Sequence, residues 1–462
     1  MNKLGIVLSF IALLATIPAA ALEGTLVNSD FESAALGGEV KNYQIYLPPG
    51  YESSGASYPV VYFLHGAGSL YFHRYAMVVA VDNLISAGLI EPIILVKPCG
   101  RPSPPQMGRW LDFPNNSYFP LYLDSELMGA YESYPVVDLV GHIDASYRTL
   151  ADRHHRSVCG HSAGSQGAIR YALRHPDVFG RVASLGSFLD WLSFGGACAA
   201  AAQEQGFRPV EEFEPTFSNW AGTMLSTAGH YLPNPNNPPW YVDYPCLQNG
   251  QRIAALWSLI DAQTARAVAE GLAVPELDLQ IGIFAAWEDQ PAVESAQRFA
   301  AVLDEQSAAH TLRIYHSDHP DPHDDIRPEM FITLLHPMRA SAMANPTHLY
   351  ASLPLDAFSV QLRLSEDLPL DQVDPGSVVI SAVNGSELYE PVEAREEIQG
   401  DALEAHFDWS EVMDALETAG VDDGAPVRLT IRGEMTDGRF FAGTDTVYCD
   451  AEHMTRRSIS MD

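Results

Sequence analysis

The stretch RSVCGHSAGSQGAIRYALRHP, residues 156–176, decides the fold. Val158 and Cys159 sit in an apolar, strand-like run, Gly160 follows, and Ala168, Ile169, Ala172 and Leu173 then recur at helical spacing. Between strand and helix lies Gly160-His161-Ser162-Ala163-Gly164, a G-x-S-x-G string. In a strand–turn–helix context such a string is a nucleophile elbow. The turn forces the serine into a strained backbone conformation and lifts its hydroxyl above the sheet, over the first amides of the helix. Small flanking residues are needed because a Cβ on either side would collide with the neighbouring strand and helix. The five letters also occur in ordinary Gly/Ser loops; the flanks make Ser162 the candidate nucleophile.

Working outward, YQIYL is strand-like, and Val60–Leu64 of PVVYFLHGAGS is a continuous apolar run, as a strand buried on both faces requires. It ends in His65-Gly66-Ala67-Gly68, a turn able to leave backbone amides open. Ala76–Ala87 reads as a helix, PIILVKP as a buried strand, Ser133–Arg148 as a helix and Arg181–Ser187 as a strand. Arg252–Glu270 and the run through Phe299, Val302 and Leu303 are helical by pattern; LQIGIFAAW and TLRIYHSD are strands. Strands alternating with helices imply an α/β fold, a mainly parallel sheet flanked by helices with right-handed crossovers.

Residues 189–245, with HYLPNPNNPPWYVDYPC, are too long for a plain connection and are read as a lid or insertion. Trp220, Trp240, Tyr241 and Tyr244 could wall a substrate pocket or form the insertion's own core. Beyond Pro346 the pattern changes to period-two alternation, clearest at Val427, Leu429 and Ile431 against Arg428, Thr430 and Arg432. A small all-β, Ig-like sandwich without a catalytic constellation is expected there. The predicted organisation is therefore a signal peptide at 1–21, a catalytic α/β domain at 22–343, a β-sandwich at 346–450 and a tail at 451–462.

Composition narrows the class. The 462 residues are 47% hydrophobic and 18% charged, ordinary for a large core. With 26 basic against 59 acidic residues the formal charge is −33, and lysine occurs only at Lys3, Lys41 and Lys97. Such a surface repels nucleic acid and anionic membranes, so neither is an expected partner. Lys3, the apolar run Leu4–Ile17 and Ala19-Ala20-Ala21 read as a Sec signal with an A-x-A cleavage site, so a secreted or periplasmic protein is expected. Cys99, Cys159, Cys198, Cys246 and Cys449 show no metal spacing; Cys198 and Cys246 are the best disulfide pair, and Cys159 reads as a buried core thiol.

Acyl transfer needs an activated hydroxyl, an oriented base and donors for the developing oxyanion. With Ser162 as nucleophile, the chain order Ser, acid, His directs the search downstream. LQIGIFAAW delivers Glu288 and Asp289; Asp289 is preferred for its shorter, more rigid reach. SDHPDPHDD offers His319 and His323, with His323 preferred because it lies nearest the closing helix, while His316 falls inside the strand. His319, Asp321, His323 and Asp324 could alternatively ligate a metal, but the serine elbow already accounts for the histidine, so neither metal nor cofactor is expected. The amides of Ala163 and Ala67 are the expected oxyanion hole.

LGGEVKNYQIYLPPGY, YPVVYFLHGAGS, ESYPVVDLVGHIDASYRT and GHSAGSQGAIRYALRHPDVFGRVASLGS, taken in this order, resemble the esterase D group of α/β-hydrolases over roughly Leu22–Arg339. That group includes S-formylglutathione hydrolases, feruloyl and acetyl-xylan esterases and mycolyltransferases. The resemblance implies a Ser162, Asp289, His323 triad with Ala67 and Ala163 as oxyanion amides. The sequence departs from many members in following the serine with Ala-Gly-Ser rather than Met-Gly-Gly, and in its residues 189–245. An export signal argues against an S-formylglutathione hydrolase. The C-terminal VDPGSV and GEMTDGRFFAGTDTV resemble β-sandwich modules of secreted bacterial proteins. The expectation is a secreted serine esterase acting on acyl or feruloyl esters of carbohydrates or on other small esters. An acyltransferase with the same triad and an inactive carbohydrate-binding module are the alternatives.

Overall fold

The computed structural model describes residues 22–67, 71–72, 75–86, 90–102, 120–186, 188–214, 220–315, 330–331, 335, 340–345, 348–349, 358–364, 370–373, 376–383, 386–399, 402–418, 426–434 and 440–449. Its first part is built on β1 (Thr25–Ser33), β2 (Glu39–Leu47), β3 (Val60–Leu64), β4 (Ile94–Pro98), β5 (Arg156–His161), β6 (Arg181–Leu185), β7 (Gln280–Ala286) and β8 (His310–Tyr315). They hydrogen-bond in the spatial order β1-β2-β4-β3-β5-β6-β7-β8. β2 is antiparallel to both neighbours, and every later pair is parallel. One reversed strand, with β3 and β4 exchanged in an otherwise sequential parallel sheet, is an α/β-hydrolase-like topology.

The parallel strands are apolar on both faces because helices cover both. On one side Tyr62, Val158, Val182 and Ile283 pack with α2 (Val140–Ser146), α3 (Ala163–Arg174), α7 (Ala265–Glu270) and α8 (Gln290–Glu305). On the other, Val61, Phe63, Cys159 and Phe284 meet Met77, Val78 and Val81 of α1 (Tyr75–Ser86). The segment read as one helix from Ser133 opens with a π-helical stretch at Tyr134–Leu139 that starts against Pro135.

Between β6 and β7 the chain is more helical than its composition foretells. It contains α4 (Ala197–Glu204), α5 (Trp220–Tyr231) and α6 (Ala254–Asp261) before α7. The helix expected over Arg252–Glu270 is two helices, because Thr264 caps α7 with its side chain accepting from the Ala267 amide at 3.3 Å. This region has its own apolar core, joining Leu121–Met128 to Trp191, Met224, Trp240, Trp257 and Ile260, so it extends past Pro245. Cys198 and Cys246 form a disulfide within it, while Cys159 is buried and burial raises its thiol pKa.

The C-terminal part contains β9 (Ala340–Asn345), β10 (Phe358–Leu364), β11 (Val379–Val383), β12 (Ser386–Gln399), β13 (Ala402–Phe407), β14 (Pro426–Glu434) and β15 (Phe440–Cys449). The long β12 pairs with β11 in its first half and β13 in its second, linking two antiparallel sheets. Val360 and Phe407 of one sheet share a core with Ile380 and Leu429 of the other. One expectation needs correction. The unit is not all-β, since α9 (Trp409–Thr418) contributes Trp409, Val412 and Leu416 to that core. The strand β9 pairs antiparallel with β10.

Candidate active site

Only Ser162 separates β5 from α3, and its backbone sits at φ 55°, ψ −120°. This is a region that residues with a Cβ rarely occupy, at a cost on the order of 1–3 kcal/mol when they do. Surrounding hydrogen bonds hold it there. The Ser162 amide donates to the Leu185 carbonyl at 2.9 Å, and the Ser162 carbonyl accepts from the amide of Ser165 at 2.9 Å and its hydroxyl at 2.5 Å. As N-cap of α3, Ser162 would ordinarily spend its side chain on the first turn. Here it makes no such capping bond, which leaves the half-buried hydroxyl for other chemistry.

The flanking glycines are required by backbone contact. A Cβ at Gly160 would lie 2.1 Å from the Gly164 carbonyl oxygen, and one at Gly164 would lie 2.1 Å from that of Leu64. The turn after β3 presses on the elbow from the front: a Cβ on Gly66 would come within 3.1 Å of Ser162 Cβ. Ala163 stands at the first position of α3, where the amide has no partner within the helix. Ala67, half-buried, and Ala163 both pack against the insertion's core. The structure thus brings Ser162, Ala163 and the Gly66–Ala67 turn to one point at the carboxyl ends of β3 and β5.

Asp289 lies just beyond the end of β7 as the N-cap of α8, its carboxylate accepting from the Ala292 amide at 3.4 Å; it is half-buried, whereas Glu288 is exposed. A second acidic side chain, overlooked in the sequence, follows β6. Asp190 is buried and grips Arg298 with two hydrogen bonds, 2.7 and 2.9 Å, with Arg266 at 3.5 Å. Those contacts commit its carboxylate to fastening the root of the insertion onto α8. His323, His319 and His316, and with them the metal alternative, lie outside the described residues.

Aromatic rings line the insertion beside the elbow. Phe194 lies 4.9 Å from Phe188, 5.4 Å from Trp191 and 5.6 Å from Trp220, and Trp191 is 6.4 Å from Trp257. Phe194 and Trp220 pack, half-buried, on the core that includes Ala163. Trp220 was a sequence candidate; Phe188 and Phe194 were not, because isolated phenylalanines in an irregular stretch carry no periodic signal. Trp240 and Tyr244 serve the insertion's own core, Trp240 donating its indole N–H to the Val210 carbonyl at 2.8 Å.

Parts of the chain are similar to known proteins. Over 159 residues it is 31% identical to Esterase Rv1288 of Mycobacterium tuberculosis, a match covering 34% of this chain and 30% of that one. It is 27% identical over 150 residues to an endo-1,4-beta-xylanase/feruloyl esterase of Xylanibacter ruminicola, covering 31% and 19% respectively. The chain thus spans less than a third of the length of either relative. Among solved structures, a ferulic acid esterase covers 67% of this chain and 96% of its own at 17% identity, with a TM-score of 0.46. An S-formylglutathione hydrolase from Agrobacterium tumefaciens covers 67% and 92% at 19% identity, with a TM-score of 0.42. The model of the Esterase family matches residues 33–317, a span that takes in the elbow, the turn before it and the acid-bearing end of β7, and by that match the chain belongs to the Esterase family of ester hydrolases.

Proposed function

We propose that the chain is a secreted serine esterase that cleaves carboxylic esters through an acyl-enzyme on Ser162. The observation that carries this reading is the Ser162 backbone at φ 55°, with a side chain not spent on capping α3. In the proposed cycle the Ser162 hydroxyl oxygen attacks the ester carbonyl carbon and its proton passes to the imidazole of His323. The negative charge on the carbonyl oxygen is met by the amides of Ala67 and Ala163. Asp289 holds the imidazole in its tautomer and stabilises the imidazolium. The leaving alkoxide takes the proton as the tetrahedral intermediate collapses; water, deprotonated by the same imidazole, then attacks the acyl carbonyl, and the imidazolium returns that proton to the departing Ser162 oxygen as the acid is released. His319 and Glu288 are the alternatives for base and orienting acid.

For the substrate we propose acyl or aromatic-acyl esters of carbohydrates, with Phe194 and Trp220 as apolar walls for the acyl group. Their position on the core that includes Ala163 supports this, as does the feruloyl esterase activity named for the Xylanibacter relative. The C-terminal two-sheet unit is proposed as a non-catalytic accessory domain. Export through residues 1–21 is proposed from the sequence; among the described residues no helix is long and apolar enough to cross a membrane.

The test is a panel of p-nitrophenyl acetate, longer acyl and feruloyl esters, with wild type and Ser162→Ala. Turnover in wild type and its loss in the variant support the reading. Unchanged turnover in the variant removes Ser162 from the chemistry. A free alcohol acceptor added to the assay separates hydrolysis from transfer by the product formed.

A further inference from the structure

We infer that His65 and Tyr122 form a positioning pair that aims the amide of Ala67, and so sets how well the enzyme stabilises the transition state rather than how well it binds substrate. The inference rests on the proposal that the Ala67 and Ala163 amides receive the oxyanion.

The imidazole of His65 is buried, and both ring nitrogens have assigned duties. Nε2 lies 3.0 Å from the amide of Gly100, which can only donate, so Nε2 is the acceptor. In a neutral ring the proton then belongs to Nδ1. Nδ1 lies 3.0 Å from the carbonyl oxygen of Gly66, and the Nδ1–H donates to it. The ring therefore ties the turn after β3 to the chain leaving the neighbouring β4.

The consequence follows from peptide geometry. The only cis peptide among the described residues is Pro238–Pro239, so Gly66–Ala67 is trans. Across a planar trans peptide the carbonyl and the following N–H point in opposite directions. Drawing the Gly66 carbonyl onto the His65 ring turns the Ala67 amide to the far side of the turn. The same Gly66 faces Ser162 closely enough that a Cβ would fall 3.1 Å from the serine Cβ.

Tyr122 fixes the preceding carbonyl. Its hydroxyl donates to the His65 carbonyl oxygen at 2.7 Å, so successive carbonyls of the turn are both pinned. Tyr122 is fully buried and held at φ 52°, a costly conformation for a bulky side chain. Its ring fills the space over Gly100, where a Cβ would lie 2.2 Å from it, and its own Cβ meets Gly167 of α3. Arg170 donates to the Tyr122 carbonyl at 3.2 Å. Strain maintained this firmly, behind a turn that faces the candidate nucleophile, fits a role in presenting backbone donors.

The experiment measures kcat and KM for p-nitrophenyl acetate, and the inhibition constant of phenylboronic acid, whose serine adduct is tetrahedral. It compares wild type with His65→Gln, His65→Asn and Tyr122→Phe, with folding followed by circular dichroism. Gln places its amide near Nε2 and loses the donor to Gly66; Asn keeps an N–H near Nδ1. The expected results are a fall in kcat of roughly 100-fold or more for H65Q, at the level of losing one oxyanion donor, with KM within about threefold, and a fall of roughly three- to tenfold for H65N and for Y122F. Boronate affinity should weaken in proportion to kcat in each variant. The inference is overturned if folded H65Q and H65N lose kcat alike, if only KM or melting temperature moves, or if boronate affinity stays constant while kcat falls. If the His65 variants do not fold, Y122F decides: unchanged kcat and boronate affinity overturn the inference. A wild type that neither turns over ester nor binds boronate defeats the esterase reading itself, a different outcome from an active wild type with indifferent variants.

Discussion

The elbow and the insertion beside it are built by different kinds of contact. At Gly160 and Gly164 backbone meets backbone, with no room for a carbon atom, so glycine is the only residue that fits. Around Phe194 and Trp220 side chain meets side chain, at ring separations that many apolar residues could satisfy. Geometry dictated by the backbone leaves a fixed string in the sequence. Geometry dictated by side-chain packing leaves only a composition. The proposed chemistry is written in the first manner, and the proposed walls for the acyl group in the second.

Four perturbations break or sharpen that contrast. Ser162→Gly should lower kcat by about 10⁴-fold or more while raising the melting temperature by roughly 2–4 °C through relief of strain worth about 1 kcal/mol. An active variant, or one that melts earlier, would contradict the strained-nucleophile geometry. Gly164→Ala pushes a methyl group into the Leu64 carbonyl, so β3 must shift. A loss of about 3 kcal/mol is expected, seen as a melting temperature lower by roughly 6–12 °C, together with lost ester turnover.

The third concerns acid stability in the insertion. His230 of α5 is buried, donates Nδ1–H to the Ser226 carbonyl at 2.8 Å and has no partner for Nε2. Burial lowers its pKa to about 4 from 6.5. Between those values the unfolded chain holds a proton that the folded one refuses, so stability is complete above pH 6.5 and falls as pH drops towards 4. The total is about 3 kcal/mol. His230→Phe should flatten this limb in melting curves taken at pH 7, 6 and 5; an unaltered acid slope would remove His230 as its source. The smallest effect is on selectivity. Trp220→Ala should reduce kcat/KM for feruloyl relative to acetyl esters by roughly 10–100-fold, the equivalent of about 1.5–3 kcal/mol of aromatic burial, with acetyl turnover little changed. Equal losses on both esters would make Trp220 a structural rather than a specificity residue.

What was legible in the sequence follows the same division. The run of Val60–Leu64 and the GHSAG string exposed the parallel sheet and the elbow, because burial on both faces and glycine-only contacts restrict residue type. The Cys198–Cys246 pair was read from shared location and is present. The helices α4 and α5 were hidden, because alanine and glycine-rich stretches such as Ala197–Glu204 and Trp220–Tyr231 sit among Pro, Asn and Phe and show no polar face. Helix α9 was concealed by neighbouring strands with period-two alternation. Asp190 and His65 were passed over since their importance lies in partners far along the chain, Arg298 for one and Gly100 for the other.

The insertion's hydrophobic core reaches all the way to Ala163, with Ala67 packed against it. Protein engineers commonly treat the acyl-binding wall and the rate-determining machinery as separate dials. With the site proposed here they turn together. A substitution that hollows the core at Met224 or Leu225 to admit a bulkier acid removes support from Ala67 and Ala163, whose amides are proposed to receive the oxyanion. Broader substrate range is therefore gained at the expense of speed, and laboratory evolution towards larger esters should accumulate compensating, volume-restoring changes in this core before turnover recovers.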